Sequence, residues 1–277
     1  MVVATAPQEM THSQTTIFAD LHSHSNASDG VFSPTELVQR ARQTGLEVLG
    51  LTDHDTMRGL KEAMSAGSKI GLSVVPGLEL SCGWPDREVS LHVLGLFVDP
   101  DDQGLGELLE QQRIGRQKRA LKILTLLEGL GFDIAPLRSA FEGEKEKALG
   151  RPHVARYLME KGYADSFETV FRKLLGRGAP AYVPKPHVLP EEGIELIHHA
   201  GGLACLAHPG LIQDWEEIWP RLDLLPWDGM EAYYAEHSPE ETARFLDIVA
   251  RKNWLVTGGS DYHSESGKHL GRLGKHG

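Results

Sequence analysis

Apolar residues recur along this chain in two alternating rhythms. Short apolar runs at Ile17–Leu21 and Leu46–Thr52 bracket a segment in which Leu37, Val38 and Ala41 keep helical spacing. Ser33-Pro34-Thr35-Glu36 opens that helix with an N-cap serine, a proline at the first helical position and a glutamate three residues on, and Gly45 closes it. A helix over Met57–Ile70, stopped by Gly71, a strand over Leu72–Val75 and a fourth strand over Ser90–Val98 continue the alternation. The rhythm then breaks. Leu105–Leu130 is one long helical stretch, and shorter helices follow at Pro152–Lys161 and at Phe167–Leu175, the latter behind an Asp165-x-x-Glu168 capping box. Afterwards Pro190–Ala200 is helical, Gly202–Ala207 and Gly229–Tyr233 are extended, Ser238-Pro239-Glu240-Glu241 opens a helix to Lys252, and Trp254–Thr257 is the seventh strand.

Strands alternating with helices favour a parallel sheet buried on both faces. Histidines and carboxylates fall at or near the ends of strands one, two, three, four, five and seven, and a closed ring is what brings so many strand ends together. No strand is followed by G-x-G-x-x-G, which removes the dinucleotide-binding open sheet. The expected division is a disordered leader over 1–16, a barrel over 17–102 and 188–277, and a helical insertion over 103–187.

Composition narrows the function classes. The 277 residues carry a formal net charge of −11, which opposes capture of an extended nucleic-acid duplex. Cys82 and Cys205, far apart, form neither a disulfide framework nor a thiolate zinc site. No apolar run approaches the roughly 20 residues that cross a bilayer, and residues 1–16 lack a signal-peptide pattern, so a cytoplasmic protein without membrane contact is expected.

The chemistry concentrates in Asp20-Leu21-His22-Ser23-His24, where residues two apart on a strand share a face. Asp29, His54, Glu79, His92, His208, Asp261 and His263 complete a set of nine imidazoles and carboxylates. Such nitrogen and oxygen donors suit borderline or hard divalent ions, and nine exceed what one ion uses. Two or three cations are expected: Mn2+ first, with Fe2+, Zn2+ or Mg2+ as alternatives.

The ordered motifs D-L-H-S-H-S, S-D-G, L-T-D-H-D-T, P-G-L-E-L-S, H-V-L-G, A-H-P and G-S-D-Y-H resemble the PHP (polymerase and histidinol phosphatase) family of metal-dependent phosphoesterases, from Phe18 to His263. The resemblance implies a distorted seven-stranded (β/α)7 barrel and a trinuclear metal centre. It assigns one ion to His22, His24, Glu79 and Asp261, a second to Glu79, His92 and His208, and a third to Asp29, His54 and His263. About +6 from three divalent ions against −3 from the carboxylates makes a cationic pocket in an acidic protein. The expected nucleophile is a metal-bound hydroxide, and Asp261, His263 and His208 are expected to serve in catalysis as well as ligation.

In the insertion, Arg113, Arg116 and Arg119 share a helical stripe, and Arg151-Pro152-His153 begins another helix. Arg116, Arg151 and His153 are the expected contacts to substrate phosphate, because Gly-Arg-Pro-His-Val-Ala resembles the nucleotide-phosphatase branch of the family. That branch implies removal of the 3'-phosphate of nucleoside 3',5'-bisphosphates, and trimming of short oligonucleotides from the 5' end. A histidinol-phosphate phosphatase or other small phosphomonoesterase, and a non-catalytic metal-binding module, are the alternatives. Asp20, Asp53 and Asp55 are read as turn residues or supports of the ligands. Trp84, Tyr233 and Tyr234 are read as packing residues or base-stacking ones. His12, His187, His198, His199, His237, His269 and His276 are read as structural or solvent-facing, and Glu142 to Lys147 as a solvated run.

Overall fold

Seven strands hydrogen-bond in sequence order into one sheet: β1 (Ala19–Asp20), β2 (Val48–Leu51), β3 (Ser73–Cys82), β4 (Leu91–Leu96), β5 (Leu203–Leu206), β6 (Gly229–Tyr234) and β7 (Leu255–Gly259). The computed structural model describes residues 19–87, 89–143, 150–184, 188–265 and 268–273. The expected leader, His12, His187, His276 and most of the run from Glu142 to Lys147 lie outside them. The chain beyond β1 pairs with that around β7: Leu21 N–H donates to Gly258 O at 3.0 Å and His24 N–H to Tyr262 O at 2.9 Å. The sheet is thereby a near-closed barrel.

The helices are α1 (Pro34–Gln43), α2 (Leu60–Ile70), α3 (Gln103–Gly129), α4 (Ala135–Gly143), α5 (Arg151–Glu160), α6 (Phe167–Val170), α7 (Pro190–His199), α8 (Trp215–Leu222) and α9 (Pro239–Lys252), with a π-helical turn at Phe171–Leu175 continuing α6. Ser33 and Ser238 make full capping boxes with Glu36 and Glu241. α6 is capped by Ser166, whose hydroxyl accepts Thr169 N–H, and not by the expected Asp165 box. α4 and α8 were not expected. Each is short and contains a proline, Pro136 or Pro220, which reads as a break in the sequence.

Against the expected parallel sheet, β4 runs antiparallel to both β3 and β5. Residues 83–90 are too few for a crossover, which takes roughly a dozen, so the chain turns back as a hairpin. β4 therefore starts where its neighbours end, and His92 near its beginning joins their C-terminal ends. β3 also runs past the expected Val75, pairing with β2 through Pro76 and with β4 from Gly77. Pro76 sits where the strand changes partner.

One core lies between the sheet and its helices, with Leu37, Leu49, Leu60, Leu78 and Phe245 buried in it. Val75, Leu94, Leu96, Cys205 and Ala207 form a smaller cluster. Val75 is four residues from Glu79, and Leu94 two from His92, so strand alternation puts this cluster on the same inner face as those ligands. A separate core, including Leu124, Leu127, Phe141, Leu158 and Leu175, holds the insertion helices together. No described helix is long and apolar enough to cross a membrane.

Candidate metal centre

The centre is assembled from strand ends and the loops that leave them. Between His22 and His24, Ser23 turns away and donates its hydroxyl to Gly50 O at 2.7 Å, while its carbonyl accepts Thr52 N–H. The two imidazoles flanking it consequently point the other way, and both are fully buried. The loop carrying Asp29 is tied to Asp53, whose carboxylate accepts Ser25 N–H, Ser25 Oγ–H and Ser28 Oγ–H at 2.6–2.7 Å. His54 forms an isolated bridge with Glu79. His208, just after β5, and Asp261, just after β7, both take positive φ, 25° and 52°. Such backbone is rare outside glycine and concentrates at functional sites.

Three groups of ligand atoms emerge, each with its atoms within 4.8 Å of one another: His22, His24, Glu79 and Asp261; His54, Glu79 and His92; and His24, Asp29, His54 and His263. Glu79 is central to the arrangement. Its Oε2 lies 3.1–3.2 Å from His22, His24 and His54, and its Oε1 lies 2.6 Å from His92 Nδ1 and 2.8 Å from His208 Nε2. Asp261 Oδ1 reaches His24 Nε2 at 3.0 Å, and Asp29 Oδ1 reaches His263 Nε2 at 3.3 Å. All nine expected ligands are thus brought together, His208 through Glu79 and His92 and not as a member of a group, with His24, His54 and Glu79 each facing two groups.

The electrostatics fit cations. Burial disfavours charge on His22, but the carboxylates of Glu231, Glu79 and Asp261 outweigh it and hold its protonated form well above the usual histidine range. Burial likewise opposes charge on His24, yet the carboxylates of Asp261 and Glu79 beside its Nε2 raise it to about 9. His54 is pushed down to about 4 by burial, against the pull of Glu79. Burial favours the neutral forms of Glu79, Asp261 and Asp29, but the surrounding imidazoles keep all three carboxyls below their ordinary values. His22 Nε2, both nitrogens of His24, His54 Nδ1, Glu79 Oε2 and His208 Nδ1 are buried without a hydrogen-bond partner. Unpaired buried polar atoms are costly, and a divalent cation among them satisfies several at once.

Two supports, Glu231 and Lys268, carry no motif in the sequence. Glu231 on β6 is fully buried beside His22 and His208. Lys268 donates to Asp261 Oδ2 at 2.5 Å and to Tyr234 OH at 2.6 Å. Asp20, read as a possible support, accepts both Ser260 N–H and Ser260 Oγ–H, and Gly271 N–H, tying the segment at Gly271 and the loop after β7 to β1. Glu231 could have been noticed as a lone carboxylate in an otherwise apolar strand, which demands a partner. Lys268 gives no such signal.

Of the expected phosphate contacts, Arg116 reaches the centre's edge, where Nη1 pairs with the buried carboxylate of Asp55, next to His54. Arg151 lies over the Phe171 ring and donates to Leu175 O, and His153 Nδ1 accepts Gly150 N–H, both within the insertion. Arg113 pairs with Glu110, and Arg119 donates to Val183 O. Trp84 and Tyr234 are buried, leaving Tyr233 as the exposed member of the three aromatics. His198 pairs with Asp228, and His237 bridges Gly210 N–H and Ala232 O.

The PHP domain model matches residues 20–206. The chain is 37% identical over 256 residues to a 5'-3' exoribonuclease of Haemophilus influenzae, covering 90% of each. It is 34% identical over 263 residues to a 3',5'-nucleoside bisphosphate phosphatase of Chromobacterium violaceum, covering 91% of this chain and 90% of that one. An amidohydrolase structure from Chromobacterium violaceum, with bound sulfate and no metal, superposes with a TM-score of 0.74 at 33% identity, covering 90% of this chain and 88% of the other.

Proposed function

This chain belongs to the PHP domain family, and from that premise we propose that it removes the 3'-phosphate of nucleoside 3',5'-bisphosphates and trims short oligonucleotides from the 5' end. The observation that carries the reading is the buried, unpartnered set of imidazole and carboxylate atoms at the strand ends. Its chemistry is that of a metal-dependent phosphoesterase. Both named activities belong to relatives matched over nine-tenths of their length, which supports a nucleotide substrate.

His22, His24, Glu79 and Asp261 would hold one cation, and Glu79, His92 and His208, joined by His54, a second. Asp29, His54 and His263, joined by His24, would hold a third, with Mn2+ the first ion to try. When bound, such ions supply Lewis-acid polarisation of phosphoryl groups and activation of water. The chain's own residues do the positioning. His263 donates Nδ1–H to Asp261 O at 2.9 Å, which fixes its tautomer and turns Nε2 toward Asp29. Lys268 and Tyr234 occupy Asp261 Oδ2, leaving Oδ1 toward His22 and His24. Arg116, anchored on Asp55 with a buried Nε lacking a partner, is the phosphate contact nearest the centre, and Arg151 and His153 follow it from the insertion.

The test loads the protein with Mn2+, measures its metal content, and compares phosphate release from adenosine 3',5'-bisphosphate and histidinol phosphate with nucleotide release from a short 5'-phosphorylated RNA. The bisphosphate should be turned over fastest. Equal or faster release from histidinol phosphate would overturn the nucleotide reading while leaving a metal-dependent phosphoesterase.

A further inference from the structure

Glu231 belongs to none of the three ligand groups, yet both of its carboxylate oxygens are committed to ligands. Oε1 stands 2.9 Å from His22 Nδ1, and Oε2 accepts the backbone N–H of His208 at 2.7 Å. The two contacts serve different places. His22 turns its other nitrogen, Nε2, toward Glu79 Oε2 at 3.2 Å and Asp261 Oδ1 at 3.5 Å. His208, held at φ 25° and ψ 61°, delivers Nε2 to Glu79 Oε1 at 2.8 Å and to within 3.3 Å of His92 Nδ1. The same turn is gripped a second time from β6, because His237 accepts Gly210 N–H while donating to Ala232 O.

We propose that Glu231 is a positioning residue that builds two cation positions at once, setting the proton of His22 on Nδ1 through one oxygen and pinning the strained His208 turn through the other. The chemistry requires a carboxylate. The His208 N–H is a donor, and His22 must also donate from Nδ1 if its Nε2 is to remain a bare ligand. Two donors need two acceptors, and a glutamine offers one. If the glutamine amide faces His22, the imidazole must accept at Nδ1 and carry its proton on Nε2, which closes the first position. If it faces His208, the turn loses its anchor. A β-carbon on Gly259 would stand 2.1 Å from His22 Cβ and 2.9 Å from Glu231 Oε1, so only glycine lets β7 pass this close to the pair.

The proposal rests on the cation reading above, and the experiment separates the two. Wild type, Glu231→Gln and Glu231→Asp are stripped with chelator, reloaded with Mn2+, and assayed for bound manganese, Mn2+ affinity and circular dichroism. Glu231→Gln should keep the native spectrum, bind at least one ion fewer than wild type, and show affinity about 10- to 100-fold weaker at the ions it retains beside Glu79. Glu231→Asp keeps the charge and both acceptors but shortens the arm by a methylene, so it should lose metal too. It also carries the test should the glutamine variant fail to fold. Combining Glu231→Gln with Asp29→Ala should remove more metal than either change, since Asp29 serves a group that Glu231 does not touch. Full metal content and unchanged affinity in either folded variant would overturn the proposal, even with a lowered melting temperature. Wild type that takes up no divalent ion would overturn the cation reading and this proposal with it.

Discussion

The rim of the barrel and the helical insertion fill their interiors with opposite materials. At the rim, His22, His24, Glu79 and Asp261 are buried together, with ring nitrogens and a carboxylate oxygen that no hydrogen bond reaches. In the insertion, Leu124, Leu127, Phe141 and Leu158 pack against one another, and burial itself is the favourable term. The apolar inner face below the rim, from Val75 to Ala207, resembles the insertion more than it does the rim a few residues above it. The difference teaches where stability and function separate. A cluster of buried ionisable groups does not stabilise itself and gains when a ligand binds it, whereas an apolar core does its work without one.

The largest expected effect breaks the rim. His22→Ala removes a ligand of the first group, and Asp29→Ala one of the third. Each should lower activity by about 10³-fold, since a Lewis-acid site contributes several kcal/mol, and each should empty a different position in a metal assay. Loss of the same single ion in both variants would show that the rim is one site, and the division into groups would go. Chelation should destabilise the wild type and leave the far-UV signal of the insertion helices in place.

Next comes the contact where the two regions meet. Arg116→Ala leaves the fully buried carboxylate of Asp55 unpaired, which costs about 3–5 kcal/mol. Asp55→Asn in the same chain should recover part of that, because asparagine tolerates the φ of 50° at this position and still accepts Ser81 N–H. If the double variant melts no higher than Arg116→Ala, the loss comes from something other than a stranded charge. Leu124→Ala, deep in the insertion core, should cost about 2–5 kcal/mol with manganese content unchanged. A parallel loss of metal would show that the two regions are not energetically distinct.

The rim was more legible in the sequence than the insertion, for a physical reason. Ligands must sit at strand ends, strands announce themselves by short apolar runs, and His22, His24, His54, His208 and His263 each fall just past one. The inverted β4 was hidden although its clue was present: His92 lies near the start of its strand, and it reaches the other ligands only if that strand is reversed. Glu231 and Lys268 escaped notice because their partners are distant in the chain, as with Lys268 folding back on Asp261, whereas Asp20 was read as a possible support without its partners Ser260 and Gly271. In the insertion, α4 was missed because Pro136 reads as a break, and what holds the helix is tertiary: Leu137 and Phe141 in a shared core and Arg138 on Glu128.

The smallest effect sharpens the comparison most finely, because the same device occurs in both regions. Ser33 caps α1 at the end of the loop that carries His22, His24 and Asp29, and Ser166 caps α6 in the insertion. Each serine accepts an N–H three residues on, at 3.3 Å and 3.2 Å, so Ser33→Ala and Ser166→Ala should each cost about 1 kcal/mol. For Ser166 the cost should be the same with and without chelator, since the cap touches only its own helix. Ser33 differs in its surroundings: the loop before it is held by Val31 N–H on His263 O and by Asn26 N–H on Phe32 O. If those bonds transmit the state of the rim, Ser33→Ala should cost more in the metal-loaded protein, where His263 and Asp29 are fixed, than in the stripped one. Equal costs under both conditions would confine the effect of the cations to the ligand shell, and the contrast between rim and insertion would then begin at the ligands themselves.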